Sequence, residues 1–201
     1  MQGSEGMKVK ICGITNADDA GMCESLGADA LGFVHYEGRR RSLPIYLIRD
    51  IVSTVGPMTT KVLVCAPRSA IEAISIGEKA GVDTLQLYSL VPNDIASIRS
   101  HGFKVIRALE HGSPEAQGFS DVVDAILFES GKPGSGQSYD YSQIPVGKFK
   151  RVIIAGGLTI DNLHLAKALR PYALDVSSGV ERSFGKKDPE LVAEFIRRCR
   201  E

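Results

Sequence analysis

The side chains of this chain that could move a proton or hold an anion stand at the ends of short apolar runs. Cys12 closes Lys8-Val9-Lys10-Ile11-Cys12 and is followed by Gly13; Glu129 follows Ala125-Ile126-Leu127-Phe128. A thiol with an ordinary pKa of about 8.5 becomes a usable base when a nearby cation stabilises its thiolate. A carboxyl with an ordinary pKa of about 4.3 becomes a usable acid when burial opposes its charge. Arg39-Arg40-Arg41 lies in a loop, and a guanidinium matches a carboxylate through two parallel bonds. Ala155-Gly156-Gly157-Leu158-Thr159 and Ser177-Ser178-Gly179 follow two further apolar runs. Glycine lets backbone N–H groups approach phosphate oxygens, and a helix amino end adds a favourable dipole. Together these residues point to acid–base chemistry on an acidic, phosphorylated small molecule.

Taken singly, each feature has a plainer reading. Free cysteine is among the most buried residue types, an arginine run is usually a solvated surface, and loop glycines are ordinary turn residues. Position decides between the readings, and position is set by the elements.

Composition narrows the classes first. The chain has 201 residues, with 24 basic and 24 acidic side chains. That balance gives no summed field of the kind that holds a protein on nucleic acid or an anionic membrane. No apolar run approaches the ~20 residues that span a bilayer, and no leader pattern opens the chain, so a soluble, cytoplasmic protein is expected. The four cysteines, Cys12, Cys23, Cys65 and Cys199, have neither CxxC spacing nor His partners nearby, which argues against zinc and against a disulfide framework. Residues 1–6 are polar and glycine-rich and read as a loose extension; residues 7–201 read as one domain.

Along that domain one unit recurs. After the first strand Asn16 can cap a helix that stops at Gly27, and residues 30–34 form a second strand. A basic loop, 35–42, leads to a helix from Pro44 with Ile45, Ile48, Val52 and Val55 at helical spacing. Further strands are expected at 61–64, 84–87, 104–107, 125–128, 152–155 and 173–176. Helices are expected before Gly81, from Pro92 to Gly102, and from a Thr159 cap through Leu163, Ala166 and Leu169. The segment 110–120 has room for only a short helix, residues 131–136 form the longest glycine-rich loop, and 140–147 is poorly defined. The last helix has Asp188 as cap, Pro189 at its first position, and a stripe of Leu191, Val192, Phe195, Ile196 and Cys199. Short, continuously apolar strands alternating with helices indicate a parallel sheet, and eight units in sequence predict an α/β fold closed into a single (β/α)8 TIM barrel. An open doubly wound sheet would more often carry G-x-G-x-x-G after the first strand, which Cys12-Gly13-Ile14-Thr15 is not. Chemistry in a barrel sits where strands end. That rule selects Cys12, Arg39 to Arg41, Gln86, Arg107, Glu129, Gly156 and Gly157, and Asp175 with Ser177, Ser178 and Gly179.

These motifs resemble the phosphoribosylanthranilate isomerase family of tryptophan biosynthesis over nearly the whole chain. The resemblance rests on residues 8–15, 27–34, 155–158 and 174–181, with the first and last the most specific. It implies an Amadori rearrangement of N-(5′-phosphoribosyl)anthranilate without metal or cofactor, with Cys12 as base. The family's acid is an aspartate after strand six, and Glu129 stands at the matching position. The family's carboxylate-binding arginine falls on Arg40 or Arg41 according to which side of a shortened loop is aligned, with Arg40 favoured. Gln86 matches the family's Gln-Leu-His-Gly, in which Tyr88 and Ser89 replace the last two residues, and Arg107 replaces a lysine after strand five. Substrate contacts are therefore expected from Gln86, Arg107 and Asp175, and phosphate contacts from Gly156, Gly157, Ser177, Ser178 and Gly179. The expected partner is a phosphorylated small molecule, with no nucleic acid and no membrane; monomer and homodimer both stay open. Indole-glycerol-phosphate synthase would need a lysine at a strand end, whereas Lys61 begins its strand, and a histidine-pathway isomerase would place aspartate where Cys12 stands. A different class, a sugar-phosphate-binding barrel without activity, is raised by the changes at Glu129 and Tyr88.

Overall fold

Local sequence accounts for the first unit of the fold. In β1 (Lys8–Cys12) Val9 and Ile11 are fully buried. Asn16 caps α1 (Ala17–Ser25) by accepting the Asp19 N–H at 2.8 Å, with Asp18 and Asp19 in the positively polarised first turn. The computed structural model describes residues 6–130 and 138–201. Gly6 is exposed; the rest of the expected amino-terminal extension and the glycine-rich loop at 131–136 lie outside the described residues.

The unit repeats as β2 (Ala30–His35), α2 (Ile45–Val52), β3 (Thr60–Cys65), α3 (Ala70–Ala80), β4 (Thr84–Leu87), α4 (Pro92–Ser100), β5 (Lys104–Glu110), α5 (Ala116–Phe119) and β6 (Ala125–Glu129). There follow β7 (Val152–Ala155), α6 (Leu163–Lys167), β8 (Ala173–Val176) and α7 (Pro189–Arg200). Each strand pairs in parallel with the next, and β8 pairs with β1 to close the barrel.

Alternation along the strands sorts their side chains into two sets. Val9, Ile11, Leu31, Phe33, Leu85, Leu87, Ile126, Phe128 and Ile154 pack with helix residues such as Ile48, Ala73, Ile95 and Phe195. Their strand neighbours Val62, Ile106, Ala108, Ala125, Leu127, Ile153, Ala155 and Ala173 form a separate, small-residue cluster inside the barrel. Lys10, Cys12, Gln86, Glu129 and Asp175 share the phase of this inner set, so the polar residues of four strands converge on the interior.

Four features depart from expectation. β5 continues past Arg107 to Glu110. Residues 138–151 contain two 3-10 turns, Tyr141–Gln143 and Val146–Lys148, where a barrel would ordinarily place a helix. Thr159 does not cap α6, which starts at Leu163 after Asn162; Asn162 instead accepts the Thr159 N–H at 2.8 Å and donates to the Gly157 carbonyl at 2.8 Å. Beyond β8 a 3-10 turn (Ser178–Val180) leads into a small antiparallel hairpin, β9 (Glu181–Ser183) and β10 (Lys186–Lys187). Among the described residues no helix is long and apolar enough to cross a membrane.

Candidate active site

The carboxyl ends of the strands surround one cavity. Cys12, Arg39, Arg41, Gln86, Tyr88, Glu129, Gly156, Gly157, Asp175, Ser177 and Ser178 all line it. Most of the residues selected from the sequence are therefore brought together.

Cys12 is the last residue of β1, and its partner across the sheet is Gly32. A Cβ at position 32 would lie 2.8 Å from the Cys12 Sγ and 3.0 Å from the Lys10 Nζ, so only glycine leaves the thiol its space. Lys10 sits two residues earlier on the same face. Its Nζ donates to both oxygens of Asp175 at 2.9 Å. Burial, the largest single influence, would lower the Lys10 pKa, but Asp175 and Cys12 together outweigh it and hold the ammonium above its ordinary range. The expected depression of the Cys12 pKa is not found. Burial pushes the thiol up, Asp175 adds to the rise, and the opposing pull of Lys10 and Lys187 does not overcome them.

Lys187 was not legible as a site residue. It is buried on β10, where its Nζ donates to the carbonyls of Cys12 at 2.7 Å and Ser177 at 3.1 Å and pairs with Glu181 at 3.0 Å. One ammonium thus ties the end of β1 to the loop after β8. In the sequence it is the second of two lysines in a charged stretch, which ordinarily means a solvated loop.

Glu129 is the final residue of β6 and is buried at 7 % exposure. Burial raises its pKa to about 7; a hydrogen bond from Tyr88 opposes the rise, Asp175 reinforces it, and Arg39 and Lys10 oppose it. The sequence-based expectation of a carboxyl shifted by burial is met. Gln86 is buried beside it, with its Nε2 3.5 Å from the Tyr88 hydroxyl and its Oε1 without a hydrogen-bond partner among the described residues.

Of the two arginines the resemblance offered, the cavity is lined by Arg41 and not by the favoured Arg40. Arg40 does not line the cavity: its guanidinium lies over the Phe184 ring at 3.8 Å. Arg41 does line it and makes a two-point contact with Glu181, Nε to Oε1 at 2.9 Å and Nη2 to Oε2 at 2.6 Å. Arg39 lines the cavity as well, over the Tyr36 ring at 4.8 Å.

Arg107 is a correction. It shares the phase of Val105 and Leu109, which pack toward the helices, while Ile106 and Ala108 face the interior. Because β5 runs on beyond it, Arg107 is mid-strand and outward, with its guanidinium over the Phe119 ring at 4.7 Å. It does not reach the cavity.

The two glycine-bearing loops meet. Gly156 and Gly157 take left-handed φ values of 92° and 65°, and Ser177 and Ser178 stand beside them on the cavity wall. Gly179 is behind that wall rather than on it. A Cβ there would sit 1.9 Å from the Leu158 carbonyl oxygen, so its role is to let the loops after β7 and β8 touch.

A base candidate, an acid candidate, arginines and a glycine-bearing double loop around one cavity suit a phosphorylated, acidic substrate. Comparison with known proteins agrees. Residues 9–198 match the family model described as N-(5′-phosphoribosyl)anthranilate (PRA) isomerase. The N-(5′-phosphoribosyl)anthranilate isomerase of Acidithiobacillus ferrooxidans is 35 % identical over 206 residues, covering 96 % of this chain and 98 % of that one. The crystal structure of the Thermus thermophilus phosphoribosyl anthranilate isomerase superposes with a TM-score of 0.88 at 36 % identity, covering 96 % and 98 % of the two chains. A phosphoribosyl anthranilate isomerase in complex with reduced 1-(o-carboxyphenylamino)-1-deoxyribulose 5-phosphate gives 0.85 at 29 % identity, with the same coverage. Fold, site and sequence thus converge, and the chain belongs to the N-(5′-phosphoribosyl)anthranilate isomerase family.

Proposed function

We propose that this enzyme carries out its family's isomerisation, the Amadori rearrangement of N-(5′-phosphoribosyl)anthranilate to 1-(2-carboxyphenylamino)-1-deoxyribulose 5-phosphate, with Glu129 as acid and Cys12 as base. Glu129 gives its proton to the furanose ring oxygen, and the ring opens to a Schiff base. The Cys12 thiolate then takes the C2′ proton, leaving an enolamine that tautomerises to the ketone. The observation that carries the acid assignment is a buried carboxyl with a pKa of about 7 on the cavity wall, which holds a proton near neutrality where an exposed glutamate does not.

The phosphate is held by the loops bearing Gly156, Gly157, Ser177 and Ser178. The anthranilate carboxylate goes to Arg41 rather than Arg40. Glu181 occupies the Nε–Nη2 edge of the Arg41 guanidinium and orients it, while the donors of the other edge suit a second carboxylate. Gln86 offers its Oε1 as an acceptor to the substrate, and Asp175 keeps Lys10 charged beside the thiol.

The decay of phosphoribosylanthranilate fluorescence, with substrate generated in place, tests the reading. Turnover in the wild type that collapses in both Cys12→Ala and Glu129→Gln supports the pair. Wild-type turnover retained by either variant removes that residue from its role. Phosphate-ligand binding without wild-type turnover would support an inactive binding barrel.

A further inference from the structure

Three parts of the cavity wall meet at one buried ammonium. The Lys187 side chain has no exposure, and its Nζ donates to the Cys12 carbonyl at 2.7 Å, the Ser177 carbonyl at 3.1 Å and the Glu181 Oε1 at 3.0 Å. An ammonium has three N–H donors, and these bonds use all of them. Lys187 itself is not on the cavity wall, so it acts only through the atoms it holds. Those atoms are the carbonyl of the proposed base, a carbonyl of the proposed phosphate site and the carboxylate that pairs with Arg41.

Glu181 makes the connection to the loop after β2. Its Oε1 is shared between the Lys187 Nζ and the Arg41 Nε, and its Oε2 accepts from the Arg41 Nη2. Side-chain exposures of 5 % for Glu181 and 11 % for Arg41 keep the cluster out of bulk water, where each bond is strong and a missing partner is costly. Arg41 and Ser177 also meet over Gly13, where a Cβ would lie 2.5 Å from the Arg41 Cδ and 2.9 Å from the Ser177 Oγ. The hairpin that carries the pair has its own seat on the barrel. Lys187 and Glu181 are partners in the β9–β10 register, the Lys187 N–H donates to the buried Asp19 carboxylate at 3.0 Å, and the Thr15 hydroxyl donates to the Gly185 carbonyl at 2.6 Å.

We propose that Lys187 and Glu181 are positioning residues that set the base, the phosphate site and the carboxylate contact from one point. Lys187 fixes the end of β1 against the loop after β8, and so sets the span from the Cys12 thiol to the phosphate. Glu181 holds Arg41 at a fixed angle to both. The proposal rests on the readings of Cys12 as base and of Arg41 as the carboxylate contact. A substrate anchored at two anionic ends presents its reacting carbon where the two anchors jointly place it. An error of about 1 Å between them costs on the order of 100-fold in rate.

Two ligands separate the ends of the site: inorganic phosphate, and reduced 1-(o-carboxyphenylamino)-1-deoxyribulose 5-phosphate, which carries both anionic ends and does not react. Glu181→Gln keeps the shape and one acceptor but loses the charge that aims Arg41. It should raise KM and the dissociation constant of the reduced compound about tenfold, with a smaller change in kcat and phosphate inhibition within about twofold of wild type. Lys187→Met removes every donor and should lower kcat by more than about tenfold while weakening inorganic phosphate. Lys187→Gln, which keeps donors on a shorter arm, should show the same two losses in smaller measure and serves if the methionine variant does not fold. Combined with Glu181→Gln, either Lys187 variant should lose less kcat/KM than the product of the single losses, because the pair shares one bond. Wild-type kcat and phosphate inhibition in a folded Lys187 variant, even with a lowered melting temperature, would reduce the ammonium to a fold-holding role and overturn the proposal. Single losses that multiply in full would show two separate anchors and overturn the common point. Unchanged binding of the reduced compound in Glu181→Gln would overturn the part played by Glu181; unchanged binding in Arg41→Lys as well would overturn the carboxylate reading beneath it. Full turnover by Cys12→Ala would instead overturn the base reading and the setting of the thiol with it, while the two ligand constants, which need no turnover, still decide the rest.

Discussion

Lys10 and Asp175 face each other across β1 and β8 in a buried ion pair, with Nζ 2.9 Å from both carboxylate oxygens and side-chain exposures of 3 % and 7 %. The pair lies directly under Cys12, and its two charges act on the thiol in opposite directions. Replacing Lys10 by methionine would strand the Asp175 carboxylate in the barrel interior. The expected cost is about 3–5 kcal/mol in unfolding free energy, measured by urea denaturation. The same change removes the nearest cation from Cys12, so its thiol pKa should rise further and alkylation by iodoacetamide should slow at fixed pH. The other cysteines will not obscure the result, because Cys23, Cys65 and Cys199 are buried with thiols pushed up to about 12. Faster alkylation in Lys10→Met would contradict this electrostatic account.

The pH dependence follows from the order of the two pKa values. Glu129 titrates at about 7 and must be protonated to act; Cys12 is pushed above its ordinary range and must be ionised. At low pH both groups carry a proton, and at high pH neither does. Between the two values the pair holds one proton, and the productive arrangement, with the proton on Glu129, is a constant minor share of that state. A plot of kcat/KM against pH should therefore rise through about 7 and fall on the alkaline side where Cys12 ionises. The groups setting these limbs are Lys10, Asp175 and Lys187 around Cys12, and Tyr88, Asp175, Arg39 and Lys10 around Glu129. A profile flat from about pH 6 to 9 would show that at least one of the pair is misassigned.

The two arginines of the loop after β2 make a sharp comparison. Both guanidinium groups lie over the Phe184 ring, but Arg41 also lines the cavity and is oriented by Glu181, whereas Arg40 does not line it. Arg41→Lys removes the planar, two-point contact while keeping the charge, and should raise KM about tenfold with a smaller change in kcat. Arg40→Ala should leave KM within about twofold. The reverse ranking would return the carboxylate contact to Arg40.

What could be read from the chain was whatever depends on local pattern. Apolar runs gave the eight strands, and the caps Asn16 and Asp188 gave the starts of α1 and α7. Strand-end position gave Cys12 and Glu129, because the carboxyl end of a parallel strand is fixed by where the apolar run stops. Arg107 was misplaced for the same reason: the run continues through Ala108 and Leu109, and a strand buried on both faces has no polar alternation to reveal which way a residue points. The bonds of Lys187 and the close approach of Gly32 to Cys12 depend on pairings between distant segments. Nothing in the spacing of Lys187 announces that it will bond the carbonyl of Cys12, 175 positions away.

Gly179 tests the junction of the two phosphate loops. The atom closest to its missing Cβ is the backbone oxygen of Leu158, at 1.9 Å, and the Leu158 carbonyl carbon and Thr159 Cα follow at 3.0 and 3.2 Å. Backbone cannot swing aside as a side chain can, so Gly179→Ala must push the loops after β7 and β8 apart. A loss of about 1–3 kcal/mol in stability is expected, together with a KM increase that exceeds the change in kcat. Unaltered binding of inorganic phosphate in this variant would show that the two loops do not act as one site.

Glu129 should also carry a stability cost that follows from its burial. Its pKa is about 7 in the folded chain against an ordinary 4.5, so between these values the native state holds a proton that the unfolded chain has released. The stability this gives is fully present below the unfolded value and is lost as pH rises through the folded one. Above neutrality the ionised, buried carboxylate then costs about 3 kcal/mol relative to acid conditions. Glutamine keeps the shape but never ionises. Glu129→Gln should therefore exceed the wild type in unfolding free energy by about that amount near pH 8, and the difference should close toward pH 4.5. The same variant should be the one that loses turnover, so the acid site would be a place where stability has been given up for reactivity. Equal stabilities at both pH values would show that the carboxylate is as well accommodated as the acid, and would weaken the case for Glu129 as the proton donor.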